Sequence, residues 1–481
     1  MSRNSNKLTQ HQAHHNHGEF DGSILIKDIG LLVTSRLRKQ VLEGQSMLID
    51  GNKIKYIGPK YKWHVAKTIE GKGKIVLPGF INTHHHLFQS FLRHVPAMQN
   101  QPIDHWIASV SSLTKKMDAK AHYFAALANM YELILSGCTT TADMLYIFPN
   151  KFDHLELFKA TIEAAKQAGM RFHPFRGSMS LGKSHGSLFD DSVVEESDQI
   201  VSRTESIIKS FHQSAEDTML KVGIAPCTIF TSSASDFRDA ADLAKEYNVN
   251  LQTHLSESLT ENQYAKNTFG LPPLQYLQSL GWDDERVSWV HGIETSIEEF
   301  ELIKSKHQSV CHCPISNARS AIGQTGVAPI YEMIQSGINV ALGVDGSAGN
   351  DSSNMLEEMR WARTLPGVSP NSTYLNALDV IWMATRAGAK ALRWDSTIGS
   401  LEVGKCADLV MFDLDQSLAH LGAWDTIGSL VSCQALQADT VIVNGKQVVE
   451  NQNLIGVNLP DFINEAREYW QKTFAINVKN K

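Results

Sequence analysis

The residues of this chain that could do chemistry begin with three consecutive histidines, His84, His85 and His86, which follow the apolar run Ile75–Ile81. In an extended strand, residues i and i+2 share one face, so the imidazoles of His84 and His86 can reach the same ion. His85 then points to the opposite face and into packing. One such pair is weak evidence alone, because histidines also cap strands and satisfy loops.

Three further polar residues stand where later apolar runs end: His254, His291 and Asp345. Together with the first pair, His254 and Asp345 complete a set of three imidazoles and one carboxylate. A nitrogen and oxygen donor set of this kind suits Zn²⁺ and also Fe²⁺. The sequence therefore predicts a metal site with the ligands His84, His86, His254 and Asp345.

The elements that must position these residues are short apolar runs that alternate with amphipathic, helix-like stretches. This alternation is typical of an α/β protein with a TIM-type (β/α)8 barrel, whose functional residues follow the carboxyl ends of the strands. A doubly wound sheet is the structural alternative, but no glycine-rich nucleotide fingerprint follows the first run. The predicted strands are Ile75–Ile81, Thr139–Leu145, Met170–Phe175, Leu220–Ala225, Val249–Leu255, Val287–Val290, Ser309–Cys311 and Val340–Val344.

The two ends of the chain differ from this middle part. Residues 1–22 include a tract rich in Asn, Gln, Ser and His without periodicity, which predicts a disordered tail. Strand-like segments fill 23–77 and return over 398–460, so we expect one small β-sandwich domain built from both ends. The barrel is expected over 78–397, and a C-terminal helix over 461–481.

The composition argues against several classes of protein. The net charge of −7 leaves no basic footprint of the kind that nucleic-acid binding requires. Six scattered cysteines in 481 residues do not form a disulfide framework. We read neither a signal peptide nor an apolar run of about 18 residues, the length that spans a membrane. The expectation is a cytoplasmic protein without a nucleic-acid or membrane partner.

Several segments resemble the amidohydrolase superfamily, and more narrowly its cytosine, guanine and triazine deaminase branch. The resemblance extends from about residue 24 to 450 and implies the metal ligands predicted above. Members with two metals usually carry a carboxylated lysine at the end of strand four. Because this chain has Cys227 there and Lys221 at the strand's start, one zinc ion is expected, with Fe²⁺ as an alternative. The segments are Leu77–His86, His254–Glu257, His312–Asn317, Gly343–Ser347 and Ile398–Val410.

The chemistry of such a site gives three residues catalytic roles. Glu257 would carry a proton to the ring nitrogen and then to the departing amine. His291 would orient the water or help to deprotonate it, and Asp345 would accept a proton as well as bind the metal. Two alternatives remain open, namely that Glu257 is a carboxylate favoured by a helix N-terminus and that His291 is structural.

The segments Arg176–Gly182, Ala225–Cys227 and Asp345–Asn354 are similar to the 8-oxoguanine deaminase subgroup. In that resemblance Gln89 hydrogen-bonds the ring, and Cys227 lies against its 8-oxo group. Arg176 and Arg319 could contact a carbonyl oxygen of the substrate, with structural roles equally open. The sequence departs from the subgroup at Thr228-Ile229 and at Gly349, which lie near the expected pocket.

We therefore expect a metal-dependent hydrolytic deaminase of an oxidised purine, which converts 8-oxoguanine and water into urate and ammonia. Isoxanthopterin and hydroxyatrazine enzymes share much of the same sequence, so a pterin deaminase or a triazine or pyrimidine aminohydrolase is the alternative. A non-catalytic assembly protein is a third hypothesis, which the complete set of predicted ligands disfavours. The resemblance also suggests a homo-oligomer that takes a small heterocyclic substrate.

Overall fold

The computed structural model describes residues 20–61, 64–99, 103–319, 327–368, 374–415 and 417–475. Of the tail predicted over residues 1–22, residues 1–19 lie outside the described residues. Residues 20–22 of the predicted tail belong to a strand, which begins at Phe20.

The N-terminal part forms strands that belong to one mixed sheet. The second and third strands make an antiparallel hairpin in which Asp50 pairs with Lys53. Gly51 has a φ of +58° in the turn between them, a conformation that glycine adopts without the strain of a Cβ atom. The strands are β1 (Phe20–Val33), β2 (Val41–Asp50), β3 (Lys53–Gly58), β4 (Val65–Glu70) and β5 (Ile75–Pro78).

The middle of the chain forms an eight-stranded parallel sheet in which each strand pairs with the next one along the chain. The backbone N–H of Thr83 donates to the carbonyl of Leu342 at 3.0 Å and so connects the ends of the first and last strands. The predicted (β/α)8 barrel is confirmed. Its strands are β6 (Phe80–Asn82), β7 (Cys138–Leu145), β8 (Arg171–Ser178), β9 (Gly223–Pro226), β10 (Leu251–Leu255), β11 (Val287–His291), β12 (Ser309–His312) and β13 (Asn339–Leu342).

The last four strands return to the N-terminal sheet, whose order is β17-β16-β15-β14-β5-β1-β2-β3, with β4 paired to β1. Strand β14 is antiparallel to β5, so the two ends of the chain share one hydrogen-bonded sheet, as the sequence predicted. The boundaries 23–77, 78–397 and 398–460 stay predictions. The strands are β14 (Leu409–Phe412), β15 (Thr440–Val443), β16 (Lys446–Glu450) and β17 (Asn453–Leu454).

The prediction of Ile75–Ile81 as one barrel strand is wrong. Ile75–Pro78 belongs to the sheet formed by both ends of the chain, called the terminal sheet below. Of this run, Phe80–Asn82 forms the barrel strand. Proline and glycine divide the run at this point, and Gly79 packs so tightly that a Cβ atom there would lie 2.2 Å from the side chain of Thr139. A continuous apolar run shows no periodicity that would reveal such a division.

Helices follow most barrel strands and cover the barrel. A π-helical turn, Met383–Ala387, makes α13 and α14 continuous. None of the helices in the described ranges is long and apolar enough to cross a membrane. The helices are α1 (Ile103–Thr114), α2 (Ala119–Leu135), α3 (His154–Ala168), α4 (Ser197–Phe211), α5 (Ala234–Tyr247), α6 (Leu259–Phe269), α7 (Pro273–Ser279), α8 (Ile297–Ser305), α9 (Pro314–Arg319), α10 (Ile330–Gln335), α11 (Ser347–Asn350), α12 (Met355–Thr364), α13 (Ala377–Trp382), α14 (Gly388–Ala391), α15 (Thr426–Ser432) and α16 (Leu459–Phe474).

The C-terminal helix begins at Leu459 rather than at 461, because Asn458 caps it by accepting from the backbone N–H of Asp461. Residues 476–481 of the predicted helix lie outside the described residues. Tyr469 donates to Asp118 Oδ2 at 2.7 Å, and so attaches α16 to the start of α2. A buried ion pair connects the barrel to the terminal sheet. Nη2 of Arg171 lies 3.0 Å from Oδ2 of Asp408.

Candidate metal centre and active site

Three buried imidazoles meet at the carboxyl ends of the barrel strands. His84 and His86 lie two and four residues after the end of β6, and His254 lies within β10 on the other side of the barrel. One potential ligand atom of each of these residues lies within 4.8 Å of those of the other two. The structure thus brings together the three histidines that the sequence predicted as ligands.

The Nδ1 atom of each imidazole lies beside a hydrogen-bond acceptor. These contacts show whether the Nε2 atoms are free to bind a metal. Because each Nδ1 donates a hydrogen, each Nε2 keeps its lone pair, as in histidines that bind metal. Nε2 of His84 is buried without a hydrogen-bond partner among the described residues. The donor set therefore fits a divalent metal. The acceptors are Gln252 Oε1 for His84, the Met144 carbonyl for His86 and the Cys227 carbonyl for His254, each at 2.8 Å.

Burial keeps these imidazoles in the form that binds metal. Burial and the neighbouring imidazole of His84 together lower the pKa of His86 to about 3. Burial and the same neighbour hold the pKa of His254 well below its usual range. Neutral imidazoles at pH 7 can coordinate without first losing a proton.

The carboxylate of Asp345 lies beside the histidines. Its Oδ1 is 3.5 Å from Nε2 of His84 and 3.4 Å from Nε2 of His86. Burial by itself would raise the pKa of Asp345, but the contact with His84 and the imidazoles of His86 and His291 hold this pKa well below its usual range. Asp345 is therefore ionised at neutral pH and adds an anionic oxygen to the nitrogen donors.

His291 and Glu257 form a second pair next to the imidazole cluster. The ring of His291 stacks on that of His254 with centroids 5.4 Å apart, and its Nε2 lies 3.7 Å from Glu257 Oε1. Burial raises the pKa of Glu257, although His291 opposes this effect. A carboxyl group whose pKa is raised toward neutrality suits proton transfer.

Glu257 lies just before the start of helix α6, and its catalytic role stays a prediction. Helix α6 begins at Leu259, and Ser258 is its N-cap, accepting from the backbone N–H of Glu261. Glu261 accepts in turn from the backbone N–H of Glu257 at 2.8 Å. The cap is therefore complete without the Glu257 carboxylate, which lies near His291 instead.

Gln89 and Cys227 both lie near the imidazole cluster. Gln89 Oε1 accepts from the backbone N–H of Ala348 at 3.3 Å, and the buried amide also interacts with the side chain of Tyr146. A Cβ atom at Gly346 would lie 1.9 Å from Gln89 Oε1, so a larger residue at this position would displace the amide. The Cys227 sulfur lies 3.8 Å from His254 Nδ1, and burial raises the pKa of the thiol well above its usual value.

Neither arginine predicted to bind substrate has a described contact with the histidine cluster. Arg176 is fully buried and binds both carboxylate oxygens of Glu195, at 2.6 and 2.7 Å. Arg319 forms an ion pair with Asp351 and donates to Gln99 Oε1 at 3.1 Å. The structure favours the structural alternative for Arg176, and substrate contacts of either arginine stay predictions.

Three minor predictions are confirmed. His85 faces away from the cluster, with its Nε2 3.0 Å from Ser353 Oγ. Lys221 donates to the carbonyl of Arg393 at 2.8 Å and lies two residues before β9, away from the carboxyl end of that strand. The sulfurs of Cys311 and Cys313 are buried, 4.0 Å apart, in packing at the end of β12.

Sequence reasoning missed three residues of the site. The ring of Tyr146 packs against that of His86 with centroids 4.8 Å apart, and it directly follows the end of β7, where a strand-end search could have found it. Ser316 donates to Asp345 Oδ2 at 2.5 Å. Asn317 Oδ1 lies 2.8 Å from His291 Nδ1. Both lie in the segment His312–Asn317, whose resemblance to the amidohydrolase superfamily implied no role for either residue.

Comparison with known proteins identifies the family. Residues 75–448 match the model of the amidohydrolase family. The chain is 35% identical to the 8-oxoguanine deaminase of Pseudomonas aeruginosa over 402 residues, which cover 84% of this chain and 88% of that protein. It is 34% identical to a 5-methylthioadenosine/S-adenosylhomocysteine deaminase of Thermoanaerobacter pseudethanolicus, over 91% of this chain and 96% of the relative.

Solved structures agree with this result. The triazine hydrolase of Arthrobacter aurescens superposes with a TM-score of 0.88 at 30% identity, covering 93% of this chain and 99% of that one. An atrazine chlorohydrolase from the same species, complexed with zinc, gives a TM-score of 0.87 at 30% identity and covers 93% and 100%. A divalent metal is thus supported both by the histidine cluster and by this relative. The chain belongs to the amidohydrolase family, in which it is a hydrolytic deaminase that acts on C–N bonds.

Proposed function

We propose that the substrate is 8-oxoguanine, which the protein converts with water into urate and ammonia. The relative from Pseudomonas aeruginosa, an 8-oxoguanine deaminase, supports this choice. The observation that carries it is the buried amide of Gln89, which lies near the metal cluster and beside the Tyr146 side chain. Such an amide offers a donor and an acceptor together, as the edge of a purine ring requires.

Cys227 supports an oxidised purine for a second reason. Its thiol is buried and its pKa is raised, so the sulfur is uncharged at neutral pH. A neutral thiol can donate weakly to an 8-oxo group, whereas a thiolate would repel that oxygen. The sulfur also lies 3.8 Å from His254 Nδ1, which keeps it close to the reacting centre.

The reaction replaces the exocyclic amino group of the ring by oxygen. One divalent ion, which we propose to be zinc, supplies Lewis acidity that makes water nucleophilic near pH 7. Glu257 takes the first proton from water and gives it to the ring nitrogen next to the attacked carbon. The water oxygen bonds to this carbon, and the C–N bond breaks as the second proton reaches the amine through Asp345. Ammonia leaves, and His291 keeps the water and Glu257 aligned.

A panel of substrates tests the choice of ring. We expect the zinc-loaded protein to release ammonia from 8-oxoguanine with a kcat/KM well above the values for guanine, isoxanthopterin, cytosine, isocytosine and an aminotriazine. Guanine is the matched comparison, because it lacks only the 8-oxo group. A preference for isoxanthopterin or for the triazine would be consistent with the same deamination chemistry, but it would mean that the pocket binds a ring other than 8-oxoguanine.

A nucleoside substrate is the second candidate. The 5-methylthioadenosine/S-adenosylhomocysteine deaminase relative is 34% identical over 91% of this chain, close to the value for the 8-oxoguanine enzyme. Adding 5-methylthioadenosine to the panel separates the two. Higher kcat/KM for this nucleoside than for 8-oxoguanine would contradict our proposal. A homo-oligomer and a cytoplasmic location stay predictions.

A further inference from the structure

We propose that Ser316 and Asn317 are positioning residues of the deaminase, through which one short helix aligns two separate groups of the active site. The inference rests on the proposed function for its catalytic part. Helix α9 spans Pro314–Arg319 and directly follows the end of β12. Its two consecutive polar side chains contact Asp345 and His291, which come from different strand ends.

Ser316 fixes the orientation of the Asp345 carboxylate. Its hydroxyl donates to Oδ2 at 2.5 Å, which leaves Oδ1 facing the Nε2 atoms of His84 and His86. Asp345 has a φ of +66°, an uncommon backbone conformation for a residue with a side chain. The hydroxyl therefore adds a side-chain restraint at a position where the backbone is already strained.

Asn317 fixes the tautomer of His291. Because Asn317 Oδ1 can only accept, His291 Nδ1 carries the hydrogen and Nε2 keeps its lone pair. That lone pair lies on the side of Glu257, whose Oε1 is 3.7 Å from Nε2. The amide thus selects the form of His291 that can accept a proton or a hydrogen bond at the reacting centre.

The helix that carries both residues is attached to the segment that carries Asp345. The backbone N–H of Ile315 donates to Glu358 Oε2 at 3.5 Å, and Asn350 donates to Glu358 Oε1 at 2.6 Å. Asn350 ends α11, which begins two residues after Asp345. Glu358 is fully buried and so holds the two helices in one relative position. A rigid support of this kind is what a positioning role requires.

The local contacts make clean variants available. Nδ2 of Asn317 has no partner among the described residues, so Asn317→Leu removes one described side-chain hydrogen bond. Ser316→Ala likewise removes one described bond, to Asp345. Matched controls are Asn250→Leu, whose amide donates to Ala391 at 3.2 Å, and Ser309→Ala, at the start of β12. Both control residues are buried at the opposite end of the barrel strands.

The experiment loads each variant with Co²⁺ and measures the cobalt affinity by chelator competition, the visible cobalt spectrum, and kcat and KM. We expect Ser316→Ala to lower the cobalt affinity about tenfold and to change the spectrum, because the carboxylate loses its restraint. Asn317→Leu should keep its cobalt and its KM but lower kcat about tenfold or more. Ser316→Thr retains the hydroxyl and should keep most of the wild-type cobalt affinity. Asn317→Asp retains the acceptor and should keep most of the wild-type kcat.

The proposal is overturned if Ser316→Ala and Asn317→Leu match Ser309→Ala and Asn250→Leu in cobalt affinity and in kcat. Thermal unfolding of every variant shows which variants fold. If one of Ser316→Ala and Asn317→Leu does not fold, the proposal is tested with the other. If the wild-type protein releases no ammonia from any ring, the proposed function fails. The cobalt comparison of Ser316→Ala with Ser309→Ala still decides whether Ser316 positions Asp345.

Discussion

Asp345 and His84 are joined twice. The backbone N–H of Asp345 donates to the carbonyl of His84 at 3.0 Å, and its carboxylate Oδ1 lies 3.5 Å from Nε2 of the same histidine. The two residues follow the last and the first strand of the barrel. The contact that closes the barrel between its first and last strands therefore also holds two residues of the proposed metal site together. We expect changes at this site to affect both the stability of the fold and the activity.

Metal removal should affect both properties. Chelation of the zinc-loaded protein is expected to abolish ammonia release and to lower the unfolding temperature, because a ligand that binds only the folded state stabilises it. Calorimetry and activity before and after the addition of Zn²⁺ check this. An unfolding temperature and an activity that are both insensitive to chelation would show that the histidine cluster holds no functional metal.

Glu257→Gln should retain the metal and lose turnover by about 100-fold or more, because the amide cannot carry the proton. Metal analysis and kcat measured on the same preparation check both parts. The matched control is Glu299→Gln, another carboxyl group whose pKa is raised, which lies at the start of α8. Full activity of Glu257→Gln would remove Glu257 from the mechanism.

Gln89→Leu should reduce kcat/KM for the true substrate by about 10-fold or more, since a buried polar group without its partner costs roughly 1–3 kcal/mol. Gln308→Leu is the control, because Gln308 is equally buried but bonds Trp282 and Trp289 away from the site. If both variants keep wild-type kcat/KM in their folded fractions, Gln89 does not contact the ring.

Arg176→Met should destabilise the protein without lowering the kcat of the folded fraction. The substitution leaves Glu195 buried, with His154 and Arg203 as its remaining partners in the described part of the chain, and breaking a buried ion pair costs about 3–5 kcal/mol. Lys166→Met, which removes an exposed pair with Glu163, should change the free energy of unfolding by less than about 1 kcal/mol. A specific rise in KM for Arg176→Met would instead indicate substrate contact.

The same ion pair predicts a dependence of stability on pH. Burial would raise the pKa of Glu195, but Arg176 and His154 lower it from 4.5 to about 2. Because the pKa is lower in the folded state, this stabilisation is present above pH 4.5 and is lost as the pH falls toward 2. Denaturant unfolding across this window should show a weaker pH dependence for Arg176→Met than for the wild type. Equal slopes would contradict the assignment.

The barrel and the histidines of the site could be predicted because strand-end positions and a resemblance indicate the same residues. His84, His86 and His254 each follow or end an apolar run that is visible in the sequence. The division at Pro78-Gly79 could not be predicted, since both halves are apolar and belong to different sheets only through their partners.

Contacts between distant segments were equally inaccessible to sequence reasoning. The burial of Arg176 depends on Glu195, and the roles of Ser316 and Asn317 depend on Asp345 and His291. Nothing in the local pattern of a short helix indicates which side chains lie across from it. The substrate contacts are undetermined by sequence for the same reason, because the pocket is formed by several strand ends.

The measurement that tests the central claim most directly is the stoichiometry of products from 8-oxoguanine incubated with the zinc-loaded protein. We predict urate and ammonia in a ratio of one to one, with neither product formed by the chelated protein and very little of either by Glu257→Gln. Absence of both products from the metal-loaded wild type would contradict the assignment of 8-oxoguanine as the substrate. The same absence across every ring of the panel would contradict the deaminase mechanism proposed for this site.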